Sequence, residues 1–260
     1  MQNSKTLKIE SSGFSEFISS EEYNFSISNL RLKKEFLFFS EIDFIYKEYF
    51  KIIQSLKIKP NHESVIWSLM YFVHFNFYFS ISTFMRGHCT EAFNPIRRAI
   101  DAGLTAYLII EDNDSAKDYL NGGRRFINVK QTIRNERTSN PSKYPLAKGL
   151  IELHETCSAY ASHADIRSFI HSLEIKKNKM DFKYFSIPEN NNEFKLYFIV
   201  SIMSFYYLFK IFKIFIDQKL AKFVIPHLEE RCLDLENQLP ELQKKFYLAA
   251  KGNNIIDSIP

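Results

Sequence analysis

Turn-forming residues are scarce in this chain, which has only 7 glycines and 8 prolines among 260 residues. Sheet-rich folds need many turns marked by Gly and Pro, whereas long helices need few connections. Apolar residues also recur at helical spacing over long stretches, such as Leu30 to Leu56 and Leu146 to Ala161. The sequence therefore predicts an all-α fold, built as a single multi-helix bundle of six to eight helices.

The helical pattern predicts one domain with two less regular ends. Residues 1–28 are rich in Ser, Glu and Asn and predict a loosely ordered segment, residues 29–250 predict the helical bundle domain, and residues 251–260 predict a tail. With 45% hydrophobic residues, a chain of this length can bury a sizeable core. Residues 173–185 partly alternate between apolar and polar, which leaves a small β-hairpin and a plain loop as alternatives.

Local signals predict where helices begin, end or weaken. Gly87 predicts the end of one helix. Asn94 followed by Pro95 is typical of an N-cap and a first helical position, and a start near Thr90 is the alternative. The two glycines at 122–123 predict a weak point within a further helical segment.

Neither of the two most apolar stretches is expected to cross a membrane. Val65 to Met85 has no charged residue but contains His74 and Asn76, and Leu196 to Phe209 is short for a span. Both stretches predict buried helices instead. The three cysteines are far apart and form no C-x-x-C pair, which is typical of a reducing, cytoplasmic location.

Positive charge is concentrated in one stretch. Residues 117–148 contain eight Lys or Arg and only two acidic residues, in a chain whose formal net charge is +4. Lys130, Arg134 and Arg137 share a helix face at i, i+4 and i+7. Such a basic face suits RNA, DNA or nucleotides, and a solvated helix face is the alternative.

Histidine spacing gives no metal motif. His154, His163 and His171 are close in sequence, but neither H-E-x-x-H nor a C-x-x-C pair is present. No metal and no other cofactor are therefore expected.

A metal-free acid–base pair is the remaining chemical signal. His163 follows a predicted helix, and histidine transfers protons near neutral pH. Arg97 and Arg98 lie just inside another predicted helix, and arginine stabilises phosphate charge. If these helices pack together, the histidine and an arginine face one phosphodiester. In the alternative, an arginine pairs with Asp101 one turn on and His163 only caps its helix.

Two segments around these residues resemble a known family. MRGHCTEAFNPIRRAIDAGLTAYLIIED (residues 85–112) and CSAYASHADIRSF (residues 157–169) are similar to segments of uncharacterised bacterial proteins related to HEPN domains. In those proteins a helix with an R-G-x-x-x-E-A…R pattern packs beside a helix that ends in a Y-x-S-H motif. The resemblance covers the central part of the chain.

The resemblance implies a helical homodimer with an RNA-directed role in bacterial defence or stress response. Many HEPN-like proteins are metal-independent endoribonucleases, and others bind RNA or act as scaffolds without cutting it. The resemblance further implies that His163 is the catalytic histidine and that Arg97 or Arg98 is its partner. Nuclease members carry Arg before His at a short spacing, which Arg167 and His171 approach most closely here.

RNA binding is expected to extend over the basic stretch. The predicted substrate-binding residues are Arg124, Arg125, Lys130, Arg134, Arg137, Tyr160 and Arg167. The alternative function is that of a non-enzymatic helical interaction or scaffold protein, and a membrane-surface protein is a third.

Overall fold

The computed structural model describes residues 13–55, 62–161, 173–176, 179–182, 184–185, 187–219 and 227–251. Four helices come first: α1 (Gly13–Arg31), α2 (Phe36–Ser55), α3 (His62–Met85) and α4 (Phe93–Glu111). Three shorter helices follow: α5 (Ser115–Leu120), α6 (Val129–Ser139) and α7 (Ala147–Ala161). A hairpin of β1 (Leu173–Lys176) and β2 (Lys179–Phe182) precedes α8 (Asn191–Lys219) and α9 (Leu228–Lys251).

The all-α multi-helix bundle predicted from the sequence is confirmed. The described residues form nine α-helices, more than the six to eight expected. One reason is that the segment after Ser115 divides into two helices at Gly122, whose φ is +68°. Of the two alternatives for residues 173–185, the hairpin is observed, with Leu173 opposite Phe182 in antiparallel pairing.

The central helix is α4, which packs against α3, α7 and α8. Its second half is buried on nearly all sides, as expected for a run of Ala, Leu and Ile without a polar face. Gly103 permits the close approach of α8, because a Cβ at this position would lie 2.4 Å from Cδ2 of Leu208. Aromatic rings fill the space between α3 and α8, including Phe77 against Phe205 at 4.8 Å between centroids.

Residues 13–28 are helical where a loosely ordered segment was expected over residues 1–28, and residues 1–12 lie outside the described residues. Helix α1 has only one buried residue, so its composition resembles that of a solvated segment. Polar contacts with distant residues hold it: Glu21 lies 2.7 Å from Nε2 of His88, and Asn24 donates to the carbonyl of Arg86. Such contacts leave no periodic signal in the local sequence.

Two predicted helix starts also differ from the structure. The helix expected from Leu30 is interrupted by a turn before Phe36, where Glu35 is buried and its Oε1 lies 2.8 Å from Nζ of Lys195. Helix α4 begins at Phe93, so Asn94 lies inside it and is not its cap. Pro95 is compatible with this start because the first helical turn needs no intrahelical N–H donors.

Two described helices are long and apolar enough to span a membrane by length and composition, namely α3 and α8. In the molecule, 61% of the apolar window of α3 and 72% of that of α8 are buried. The core helices of soluble proteins meet the same criterion, so this composition is weak support for a span.

Candidate functional site

Helices α3, α4 and α7 and the α5–α6 segment surround a cavity of about 1030 Å³, called here the basic cavity. This volume is at the upper end of the range for small-molecule sites. Ring side chains from three elements line it, namely Phe72, Tyr119 and Phe126. Its charged and titratable lining consists of Arg97, Arg98, Asp101, Lys130 and His154.

Arg97 and Arg98 lie in the first two turns of α4 and both reach the basic cavity. Arg98 is exposed, and its guanidinium carbon lies 5.3 Å from the centre of the Phe72 ring. Arg97 is half-buried, and its Nε has no hydrogen-bond partner among the described residues. Burial raises the pKa of the Cys157 thiol on α7 to about 12, and the positive charge of Arg97 lowers this pKa by a smaller amount. The charge of Arg97 therefore acts on α7 as well as in the cavity.

His154 connects three helices at the wall of the basic cavity. The residue is buried, and its Nε2 lies 3.2 Å from Oδ1 of Asp101 on α4. Its Nδ1 lies 2.8 Å from Nζ of Lys130 on α6. The Asp101 side chain is 55% exposed, so this carboxylate is accessible to solvent.

The partners of His154 indicate which ring nitrogen carries the proton. An ammonium group can only donate a hydrogen bond, and a carboxylate can only accept one. These contacts fit the neutral tautomer in which Nε2 donates to Asp101 and Nδ1 accepts from Lys130, whose Nζ also lies 3.2 Å from Nε2. If Lys130 moved to another acceptor, Nδ1 would keep the Ser158 hydroxyl as a neighbour, with Oγ at 3.3 Å. The arrangement can thus transfer a proton without a metal.

The alternative prediction, an ion pair of Asp101 with Arg97 or Arg98, is not observed among the described residues. Within the described residues the Asp101 carboxylate contacts His154, at 3.2 and 3.3 Å, and not Arg97 or Arg98. Both arginines are therefore left to face the cavity.

Much of the remaining basic stretch forms ion pairs inside the molecule. Arg125 contacts Asp112 at 2.8 Å and Glu136 at 2.7 Å. Arg134 pairs with Glu155 of α7. The face shared by Lys130 and Arg134 is thus turned toward α7, and the pair of Arg134 with Glu155 lies at the surface.

Other predicted site residues lie away from the basic cavity or outside the described part of the chain. Arg124 is exposed before α6, and Arg137 is half-buried without lining the cavity. Tyr160 belongs to α7, but its side chain is outside the described residues. His163 and Arg167 lie outside them altogether. The predicted meeting of His163 with an arginine therefore stays a prediction.

Sequence reasoning missed the pairing of Asp101 with His154. The two residues are 53 positions apart, and neither belongs to a local motif that names the other. The only signal available was that each lies on a predicted helix close to another candidate residue. Across the described ranges, no three His, Cys, Asp or Glu side chains come together as metal ligands.

The fold and this site define an all-α bundle with a basic, ring-lined cavity between its helices. No protein-family model, no curated protein and no solved structure matches the chain. The HEPN-like resemblance rests on the sequence segments alone.

Proposed function

We propose that this chain acts on RNA and that a phosphodiester of the RNA binds in the basic cavity. The observation that carries the proposal is the contact chain Lys130–His154–Asp101 beside Arg97 and Arg98. Three cations around one cavity favour a phosphate ligand, because guanidinium and ammonium groups are the usual phosphate partners in proteins. The homodimeric defence or stress-response setting implied by the family resemblance, and the cytoplasmic location indicated by the cysteines, are part of the same proposal.

The ring side chains of the cavity suit the bases of a single strand. Phe72, Tyr119 and Phe126 line the same space as the cations. Proteins that bind single-stranded nucleic acid combine a positive groove with rings on which bases stack. A duplex would not offer unstacked bases to these rings.

The proposed reaction is metal-independent cleavage by the 2′-hydroxyl of the substrate. Arg97 and Arg98 hold the phosphate, and Lys130 moves from His154 to a phosphate oxygen. Nδ1 of His154 takes the 2′-hydroxyl proton while the 2′-oxygen bonds to phosphorus. The bond between phosphorus and the 5′-oxygen breaks, and the imidazolium returns the proton to that oxygen. The products are a 2′,3′-cyclic phosphate and a 5′-hydroxyl, and Asp101 stabilises the imidazolium between the transfers.

Cleavage of labelled single-stranded RNA in EDTA tests the reaction. His154→Ala is expected to cleave on the order of 100- to 10,000-fold more slowly than the unmodified chain. His227→Ala is the matched control, because this histidine is 78% exposed at the start of α9. A strand made of 2′-deoxynucleotides should remain uncut. If His154→Ala cleaved at the unmodified rate and His163→Ala did not cleave, the proton-transfer role would belong to His163, the histidine implied by the resemblance.

Binding is measured separately from cleavage. Arg98→Ala should weaken RNA binding at low salt. It should also make the slope of log affinity against log salt concentration shallower by about 1, the amount expected for the loss of one phosphate contact. Retention of RNA without cleavage would indicate an RNA-binding protein and exclude the nuclease mechanism.

The second candidate function is a non-enzymatic helical interaction or scaffold protein. The internal ion pairs of Arg125 and Arg134 favour it, because these basic residues connect helices. Failure of the unmodified chain to retain RNA at low salt would support this candidate against the RNA-directed one.

A further inference from the structure

A second cavity, of about 330 Å³, lies between α2 and α3 and is called here the ring cavity. Phe50 from α2 and Tyr71, Phe75 and Tyr78 from α3 line it. The three α3 rings are 64%, 52% and 37% exposed. A contiguous patch of exposed rings often marks a binding surface, whereas single exposed rings are common on any protein surface. The size is at the lower end for ligand sites, so the cavity suits one small ligand unit.

A single carboxylate fixes the inner wall of the ring cavity. His74 is buried, and its Nε2 lies 2.9 Å from Oδ1 of Asp43. The Tyr78 hydroxyl donates to the same oxygen, and Nζ of Lys47 lies 2.7 Å from Oδ2. The rings of His74 and Tyr78 are thereby held 4.5 Å apart between centroids. A preformed wall lowers the entropy cost of ligand binding.

The rim of the ring cavity is polar and carries positive charge. Lys47, Lys51 and Gln54 line it, and the two lysine side chains are 55% and 70% exposed. Lys47 is paired with Asp43, whose side chain is only 15% exposed, and also belongs to the inner wall. The pair of Lys51 with Glu48 joins residues one helical turn apart and has an exposed ammonium group, so it contributes little. The Lys51 ammonium group can therefore turn to a phosphate oxygen at small cost. The Gln54 amide offers both a donor and an acceptor to the edge of a base.

These features select one class of ligand. An aromatic cage for an organic cation is disfavoured, because two ammonium groups line the same cavity. A wholly apolar ligand would make no polar contact with Lys51 or Gln54 at the rim. A nucleotide matches both the ring-lined wall and the polar rim, since its base stacks on rings and its phosphate binds cations. We infer that the ring cavity stacks a base of the same single-stranded RNA that enters the basic cavity, an inference that rests on the proposed function.

The two cavities are neighbours along α3. Ser68 and Phe72 line the basic cavity, and Tyr71 and Phe75 line the ring cavity. Helical residues rise by about 1.5 Å each, so these positions lie within two turns of each other. Arg98, above Phe72, contributes positive charge on the side of the basic cavity. One strand can therefore occupy both places, with the phosphate at the arginines and a neighbouring base at the rings.

The test uses the full chain and a single-stranded RNA that carries 2-aminopurine, whose fluorescence falls when the base stacks on a ring. The double variant Tyr71→Ala/Phe75→Ala should bind this RNA on the order of 5- to 150-fold more weakly and lose the quenching. Tyr71→Phe/Phe75→Tyr should retain both, because the rings remain. Tyr23→Ala is the matched control, since Tyr23 is 66% exposed on α1 and lies outside both cavities.

The outcomes separate the inference from the proposed function. Loss of binding in Arg98→Ala, with unchanged affinity and quenching in Tyr71→Ala/Phe75→Ala, overturns the ring-cavity inference alone. No RNA binding by the unmodified chain overturns both proposals. Self-association that disappears in the double variant while RNA affinity is unchanged would assign the rings to a protein contact instead, which also overturns the inference.

Discussion

Asp43 accepts hydrogen bonds from three side chains, those of His74, Tyr78 and Lys47. Burial raises the pKa of Asp43, but the three hydrogen bonds outweigh this effect and hold the pKa below its ordinary value of 3.8. Burial lowers the pKa of His74 below its ordinary value of 6.5, and Asp43 offsets only part of that shift. Both groups therefore bind protons less readily in the folded chain than in the unfolded chain.

Removal of the Asp43 carboxylate should destabilise the protein. In Asp43→Ala the buried His74 nitrogen loses its acceptor, and the Tyr78 hydroxyl loses the same one. The free energy of unfolding at neutral pH should fall by roughly 1–3 kcal/mol, the cost of leaving buried polar groups unsatisfied. Urea denaturation measures it. Asp217→Ala, which removes a largely exposed carboxylate paired with Lys213, should cost less than about 1 kcal/mol.

The lowered pKa values of His74 and Asp43 determine how the free energy of unfolding depends on pH. The unfolded chain binds more protons than the folded chain wherever the folded pKa is lowered, so stability falls as the pH falls. The loss should begin as the pH drops below 6.5, where the unfolded His74 is protonated, and continue below 3.8 through Asp43. His74→Phe should remove the first part of the loss in urea titrations at a series of pH values. An unchanged profile in that variant would contradict the assignment to His74.

The residues of the basic cavity were only partly predictable. Arg97, Arg98 and Lys130 were candidates because cations near helix starts and on one helix face are visible in sequence. The proximity of Asp101 to His154 depends on how α4 packs against α7, which no local pattern records. Pairings of this kind follow from tertiary contacts, so side-chain types could be predicted and their partners could not.

At the scale of helices, two glycines have opposite effects. In α7 a Cβ at Gly149 would meet no atom within 4 Å, whereas in α4 a Cβ at Gly103 would approach the buried Leu208 to 2.4 Å. The first position is therefore an ordinary exposed helix site. At the second, the side chain of Leu208 on α8 occupies the space that a Cβ would need.

Gly149→Ala should raise the free energy of unfolding by roughly 0.5–1 kcal/mol, because alanine loses less backbone entropy in a helix. Gly103→Val should lower it by roughly 1–3 kcal/mol, since the added carbons displace Leu208 in a packed core. Thermal or urea unfolding of the two variants forms a matched pair. Equal shifts in the same direction would show that helix propensity alone decides both sites.

The helices predicted well are those whose own residues carry the signal. Helices α3, α4, α7 and α8 are amphipathic or wholly apolar, so periodicity and length found them. Helix α1 was missed because its polar residues contact distant positions such as Arg86 and His88. The turn before Phe36 was missed because it contains neither Gly nor Pro. Local propensity predicts an element only where tertiary contacts do not override it.

At the scale of the whole molecule, three buried thiols report on how the bundle opens. Cys89 precedes α4, Cys157 lies on α7 and Cys232 lies on α9. Burial raises the pKa of all three, to about 12 for Cys157 and about 11 for Cys232. The thiolate is the reactive form, so the folded chain should react with alkylating reagents far more slowly than the unfolded chain at neutral pH.

The order of alkylation should follow the packing of the helices. Helix α9 packs mainly against α8, and Cys232 lies on the face that it presents there, where the Tyr206 hydroxyl donates to the Cys232 carbonyl at 2.9 Å. Separation of α9 alone exposes this thiol, whereas exposure of Cys157 requires α7 to leave the central helix α4. Elements that pack against few neighbours open at lower free energy than central ones. In low urea, mass spectrometry of alkylated peptides should therefore detect Cys232 before Cys157. Identical rates for both thiols at every urea concentration would instead mean that the bundle opens as one unit.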